Sequence, residues 1–197
     1  MNEELKRIIS KIKEVPSVNL NRPKYVQPED NFIYRASRIL LILASMDRAK
    51  GLSKDCIACM DFLLRNACYQ EKFVIEYFKD SPNKILSIFK TFSPMEFSEN
   101  DFNLIRYKNI PWDLRFNDIF YFLYARKLIE FIGHEKKRAK ITEKAKENNE
   151  KLYSIFSKEY EFLKIFGKAM NEEKATYIIS ETIPEIFWRE NEKLVYK

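Results

Sequence analysis

Glycine is almost missing from this chain, with 3 among 197 residues. Tight hairpin turns and phosphate-cradling loops draw on glycine for left-handed backbone, so a turn-rich β fold and a Walker-type or dinucleotide loop are both disfavoured. Helices need no glycine. The hydrophobic share is 46% and the aromatic share 15%, enough to bury a core and to argue against wholesale disorder. The length suits one compact domain or two small ones sharing a core. The expectation is a mostly-α protein.

Two of the glycines fall where apolar periodicity breaks. Residues 31–49 carry Phe32, Ile33, Ala36, Ile39, Leu40 and Leu43 on one broad helical face, stopping at Lys50-Gly51 with Gly51 as the residue beyond the cap. Ser53 then caps a second helix to about Tyr69. This spacing fits a helix-turn-helix and equally any αα-hairpin. Gly133 marks the other break. From about Asp113 to Lys127 the pattern is helical, Leu128–Ile132 and Ala139–Ile141 read as a hairpin around a basic turn, and Thr142 caps a long helix over 143–168. Helix followed by a two-stranded wing is the C-terminal half of a winged helix.

The fold expected is therefore a mostly-α, winged-helix-like domain with a short β-hairpin wing and additional N- and C-terminal helices. Its core spans 31–170. An insertion at about 70–111 reads as two helical pieces broken at Ser81-Pro82, then an irregular stretch over 93–111. The tail, 171–197, reads as one or two helices interrupted at Pro184. In the arm, 1–30, Leu5, Ile8, Ile9 and Ile12 mark an amphipathic helix over 3–14, and Pro16, Pro23 and Pro28 forbid its continuation. That helix either docks on a partner or folds back on its own domain.

Formal net charge is +6 and the pI about 9.0. The sign permits nucleic-acid contact without demanding it. Between 113 and 146 there are nine basic and five acidic residues, an excess of +4 gathered near the hairpin. Arg115, Arg126, Lys136, Lys137, Arg138 and Lys140 are the candidate DNA contacts, against a solvated wing as the rival reading. Phe116, Phe120, Tyr121, Phe122 and Tyr124 crowd nine positions of one helix, too many to point inward. The surplus fills a large core shared with the helix over 143–168 or forms an interface patch; on the second reading Phe116, Phe120 and Tyr124, with Leu5, Ile8, Ile9 and Ile12, are the candidate partner contacts.

No catalytic constellation emerges. His134 is the single histidine and sits at the expected wing tip, so no nucleophile–histidine pair can be built on any other base. Cys56, Cys59 and Cys68 could be combined with His134 as a zinc set, but Cys56 and Cys59 fall in a helix among core residues, where cysteine acts as a small hydrophobe. Acidic pairs such as Glu172-Glu173 read as surface. Neither cofactor nor metal is expected. An odd cysteine count without a secretory leader points to the cytoplasm, and the longest aliphatic run, Ile39–Ala44, is too short to span a bilayer.

Four segments carry a family resemblance: R-I-L-L-I-L-A at 38–44, L-S-K-D-C-I-A-C-M-D-F-L-L at 52–64, F-Y-F-L-Y-A-R-K-L-I-E-F at 120–131 and A-K-I-T-E-K-A-K at 139–146. With the long insertion and the aromatic stretch S-I-F-S-K-E-Y-E-F-L, the chain resembles the middle component of bacterial three-component ABC-ATPase systems. That group includes the small accessory subunit of Lamassu antiviral defence complexes. The resemblance implies a non-catalytic subunit that binds an SMC-like ATPase and supports sensing of foreign DNA, phage or plasmid. A separate effector subunit would supply a nuclease or other activity, and double-stranded DNA would be met through the complex. The alternative is a free-standing winged-helix transcriptional regulator, against which the helix over 113–127 offers few side chains for base edges.

Overall fold

The computed structural model describes residues 31–93, 104–107, 110–133, 135 and 137–182. The candidates Leu5, Ile8, Ile9, Ile12, Lys136 and His134, the proline-containing arm and the break at Pro184 lie outside them. The described residues are mostly helical, and none of their helices is long and apolar enough to cross a membrane.

Helix α1 (Phe32–Ser45) is the hub. Asn31 caps it, its Oδ1 accepting from the Ile33 and Tyr34 amides at 2.9 and 3.2 Å. From Ala36 onward almost every residue is buried, with Ile39, Leu41 and Ile42 at 0% exposure, so the helix is apolar nearly all round and runs through the middle. The helix ends at Ser45, short of Gly51. Gly51 has another reason to be glycine. Its φ is +62°, and a Cβ there would stand 2.6 Å from the Ala139 carbonyl oxygen.

That close approach starts the sheet. Strand β1 (Leu52–Ser53) pairs with β5 (Arg138–Ile141), which pairs in turn with β4 (Ile129–Ile132), all antiparallel in the order β1-β5-β4. The expected hairpin is thus present, with Ile129 opposite Ile141 and Phe131 opposite Ala139. Ser53 ends β1 and caps α2 (Lys54–Arg65), accepting from the Cys56 amide at 3.2 Å. A 3₁₀ turn (Ala67–Tyr69) leads to α3 (Gln70–Tyr77) and α4 (Pro82–Thr91), separated at Ser81-Pro82 as expected.

The stretch 93–111 is less irregular than its sequence suggests, because β2 (Leu104–Tyr107) and β3 (Ile110–Asp113) form a second hairpin. Pro111 is tolerated because each strand of a two-stranded sheet is an edge. Helix α5 (Phe116–Ala125) follows. It ends in a left-handed cap at Lys127, φ +57°, with the Leu128 amide reaching back to the Leu123 carbonyl at 2.9 Å and the Lys127 amide to Tyr124 at 2.9 Å.

The single long helix expected over 143–168 is corrected. Three short helices occur instead: α6 (Glu143–Lys146), α7 (Asn149–Ile155) and α8 (Ser157–Lys164). Both α7 and α8 pack on α1, and the corners between them let the chain wrap that hub. Phe156, Phe162 and Phe166 all turn inward. Helix α9 (Glu172–Thr182) closes over α2 and α3.

An ionic network lies inside this core. Asp61 accepts from Arg38 Nε at 2.6 Å and meets Arg65 Nη2 at 2.7 Å. Asp113 receives both Arg65 terminal nitrogens at 3.1 Å and also contacts Arg35. The side chains of Arg35, Arg38, Asp61, Arg65 and Asp113 are each exposed by 5% or less. Burial alone would push the Asp61 carboxyl up, but Arg38 and Arg65 outweigh it and hold the group below its ordinary value.

Removing one partner of such a network strands the rest without water. Asp61→Asn is expected to destabilise the fold by about 3–5 kcal/mol, read as a drop in the urea unfolding midpoint. Lys127→Gly should do the opposite and stabilise it by about 1 kcal/mol, because the left-handed backbone then carries no Cβ.

Candidate interaction face

Helix α5 sorts its aromatics by spacing. Phe116, Ile119, Phe120 and Leu123 point into the core at 0–1% exposure. Phe116 and Phe120 are therefore corrected as partner contacts: they are core residues, packed ring to ring at 6.1 Å. Leu114, Tyr121 and Tyr124 form the opposite stripe, 55%, 50% and 49% exposed. Asn117 and Asp118 are also exposed. Of the aromatic candidates only Tyr124 faces outward, and Tyr121 joins it.

Strand β4 extends the stripe. The Phe131 ring lies 5.1 Å from Tyr124, stacked, and 5.8 Å from Tyr121, edge-on. From α2, Lys54 places its ammonium 4.8 Å from the Phe131 ring centre, 5.2 Å from Phe120 and 5.9 Å from Tyr121. The result is an aromatic platform across α5 and β4 with one cation held in its middle.

The basic candidates do not gather into one patch. Arg115 and Arg126 stand at opposite ends of α5, about 16 Å apart along its axis. Arg126 lies over the Phe122 ring at 5.3 Å. Lys140 faces Glu130 at 3.6 Å across the hairpin, and Lys137 pairs with Glu135. Both are surface pairs that salt would loosen.

Arg138 is engaged within the domain. Its Nε donates to the Lys50 carbonyl at 2.8 Å, and its Nη2 donates to the Gly51 carbonyl at 2.8 Å and to Glu172 Oε1 at 2.5 Å. Arg48 reaches the same Glu172 oxygen at 3.4 Å and the Met170 carbonyl at 2.5 Å. The Ser53 amide donates to Glu172 Oε2 at 2.9 Å. Glu172, a surface carboxylate by sequence, is thus the knot joining α9 to β1 and β5. Burial would raise its pKa, but the bonds from Ser53 and Arg138 prevail and lower it. Nothing in the local sequence marks Glu172, because its partners lie more than thirty positions away.

Two cavities flank this knot. One, about 640 Å³, lies between Arg48, Asp55, Arg138, Asn171 and Glu173. The other, about 570 Å³, is lined by Lys54, Trp112, Asn117 and Lys137 among others. Cys56 and Cys59 are buried in α2, and burial pushes the Cys56 thiol up to about 12, far from a thiolate ligand at neutral pH. Their helix packs on α1, as core residues do. Among the described residues, no group of three or more histidine, cysteine or acidic side chains could hold a metal. Compared with known proteins, the chain matches no protein family, no curated protein and no solved structure.

Because the carboxyl of Glu172 is depressed in the folded state, its stabilising effect is full above the ordinary glutamate pKa and is lost as the pH falls through the folded value. Glu172→Gln should cost about 2 kcal/mol at neutral pH, with the gap to the unmodified protein narrowing below about pH 4. Thermal melts across a pH series read this directly.

Proposed function

We propose that this chain is a non-catalytic accessory subunit of an SMC-like ABC-ATPase defence complex, docking on the ATPase through the outer face of α5 and β4 and assisting the sensing of foreign DNA. An effector subunit, nuclease or other, then carries the destructive step. The fold supports this in its order. Helix α1, strand β1, helix α2, helix α5 and the β4–β5 hairpin follow the winged-helix sequence, and the sheet order β1-β5-β4 is the one that a wing folded back on the first strand produces.

The carrying observation is what α5 turns outward. A winged helix that reads duplex DNA sets this helix in the major groove and needs arginine, lysine, asparagine or glutamine along it. Here the exposed stripe is led by Tyr121 and Tyr124, with Asp118 beside them, Leu114 before the helix and Phe131 beyond it, and Asn117 is the one such side chain, on the flank. Tyrosine-rich, acid-spotted and nearly free of cations, it suits a protein surface better than phosphates. The basic residues lie around this face, with Arg115 and Arg126 at its ends and Lys137 and Lys140 on the hairpin, where they fit DNA held by the whole complex.

A tagged copy expressed in its native host should co-purify with a large coiled-coil ATPase. Tyr121→Ala with Tyr124→Ala should weaken that association at least tenfold while leaving the melting temperature nearly unchanged, since both rings are half-exposed. Recovery of the protein alone, as a dimer on a specific DNA fragment, would sink this reading in favour of a regulator.

A further inference from the structure

The cavity of about 570 Å³ opens between the start of α2, the end of β3, the first turn of α5 and the entry to β5. Its volume falls within the range of small-ligand sites. The apolar wall is the Trp112 indole, half-buried and set edge-on against Phe116 at 5.3 Å. Beside it Asn117, exposed on α5, offers an amide with both donor and acceptor capacity. Lys137, its side chain 72% exposed, brings an ammonium group to the rim, where its surface partner Glu135 is easily exchanged. Lys54 lines the same wall with its stem and turns its ammonium toward the aromatic platform. Arg138, its charge taken up by Glu172, and Asp55 also line the cavity, so Lys137 is the cation it offers to a ligand.

These groups match the parts of a nucleotide one by one. A flat indole stacks a base, an asparagine amide reads its edge, and a flexible ammonium meets a phosphate. A bare anion would leave the indole without use, and a purely apolar ligand would leave Asn117 and Lys137 without use. Duplex DNA keeps its bases inside the stack, so only an unpaired base can reach the indole. We propose that this cavity binds one unpaired nucleotide of a single-stranded nucleic acid, its base on Trp112 and Asn117 and its phosphate at Lys137. The inference rests on the DNA-sensing half of the proposed function and puts that contact on the flank of the domain, beside the protein-docking face.

The chain has two tryptophans, Trp112 and Trp188, so Trp188→Phe makes Trp112 the sole indole emitter of the full-length protein. Titration with a single-stranded oligonucleotide of about ten nucleotides, a span one small domain covers, should quench this emission to saturation. Asn117→Ala and Lys137→Glu, both at exposed positions, should each raise the apparent Kd about tenfold. A blunt duplex of equal length should leave the emission unchanged. The proposal is overturned by absence of quenching with the single strand, by equal quenching with the duplex, or by quenching with a poly-glutamate peptide in its place. The two ideas fail separately. Loss of the co-purifying ATPase with quenching intact overturns the subunit assignment alone, whereas an ATPase complex that shows no quenching overturns the cavity alone.

Discussion

Five charged side chains buried from solvent hold the centre of this protein. Arg38 and Arg65 share Asp61, Arg35 and Arg65 share Asp113, and the three arginines outnumber the two carboxylates. Each charge is costly to bury alone and acceptable only in its company, so α1, α2 and β3 must assemble together. Asp113 also accepts from the Arg115 amide at 2.8 Å, which fixes where α5 begins. The same carboxylate thus touches both the buried network and the turn that leads into α5.

A second ionic arrangement works at the other end of the sheet. Glu172 gathers Arg48, Arg138 and the Ser53 amide, tying the helix after the wing to the first strand. Arginines that a charge count assigns to a ligand are used inside the protein. What remains at the surface is an aromatic platform on α5 and β4, a lysine set within it, and a cavity on its flank. The wing and α9 are joined through the Glu172 knot.

Much of the frame was legible in the sequence because it rests on local rules. Apolar spacing marked α1, Ser53 and Thr142 marked two helix starts, and Gly133 with flanking aliphatics marked the β4–β5 hairpin. The corners between α6, α7 and α8 were hidden, since the apolar period runs on through them and only the need to wrap α1 breaks the helix. The β2–β3 hairpin was masked by Pro111, acceptable there because the strand is an edge. On α5, which of the crowded aromatics turn outward (Tyr121, Tyr124) and which inward (Phe116, Phe120) depends on packing that five aromatics in nine positions leave undecided. The buried ions were the least visible. Arg35 and Arg38 lie three apart and Asp61 and Arg65 four apart, the spacing of ordinary surface pairs; only their position among Ala36, Ile39, Met60 and Phe62 hints at burial.

The placement of Asp113 bears on how such a domain could be shortened. The stretch between α2 and α5 looks like an ornament on a smaller three-helix unit, the kind of loop that lineages gain and lose freely. Yet Asp113, at the end of its strand β3, meets two arginines that belong to the smaller unit. Trimming the stretch would take from Arg35 the carboxylate it contacts, whereas Arg65 would keep Asp61. The stretch is thus tied to the core by the charge of a single residue.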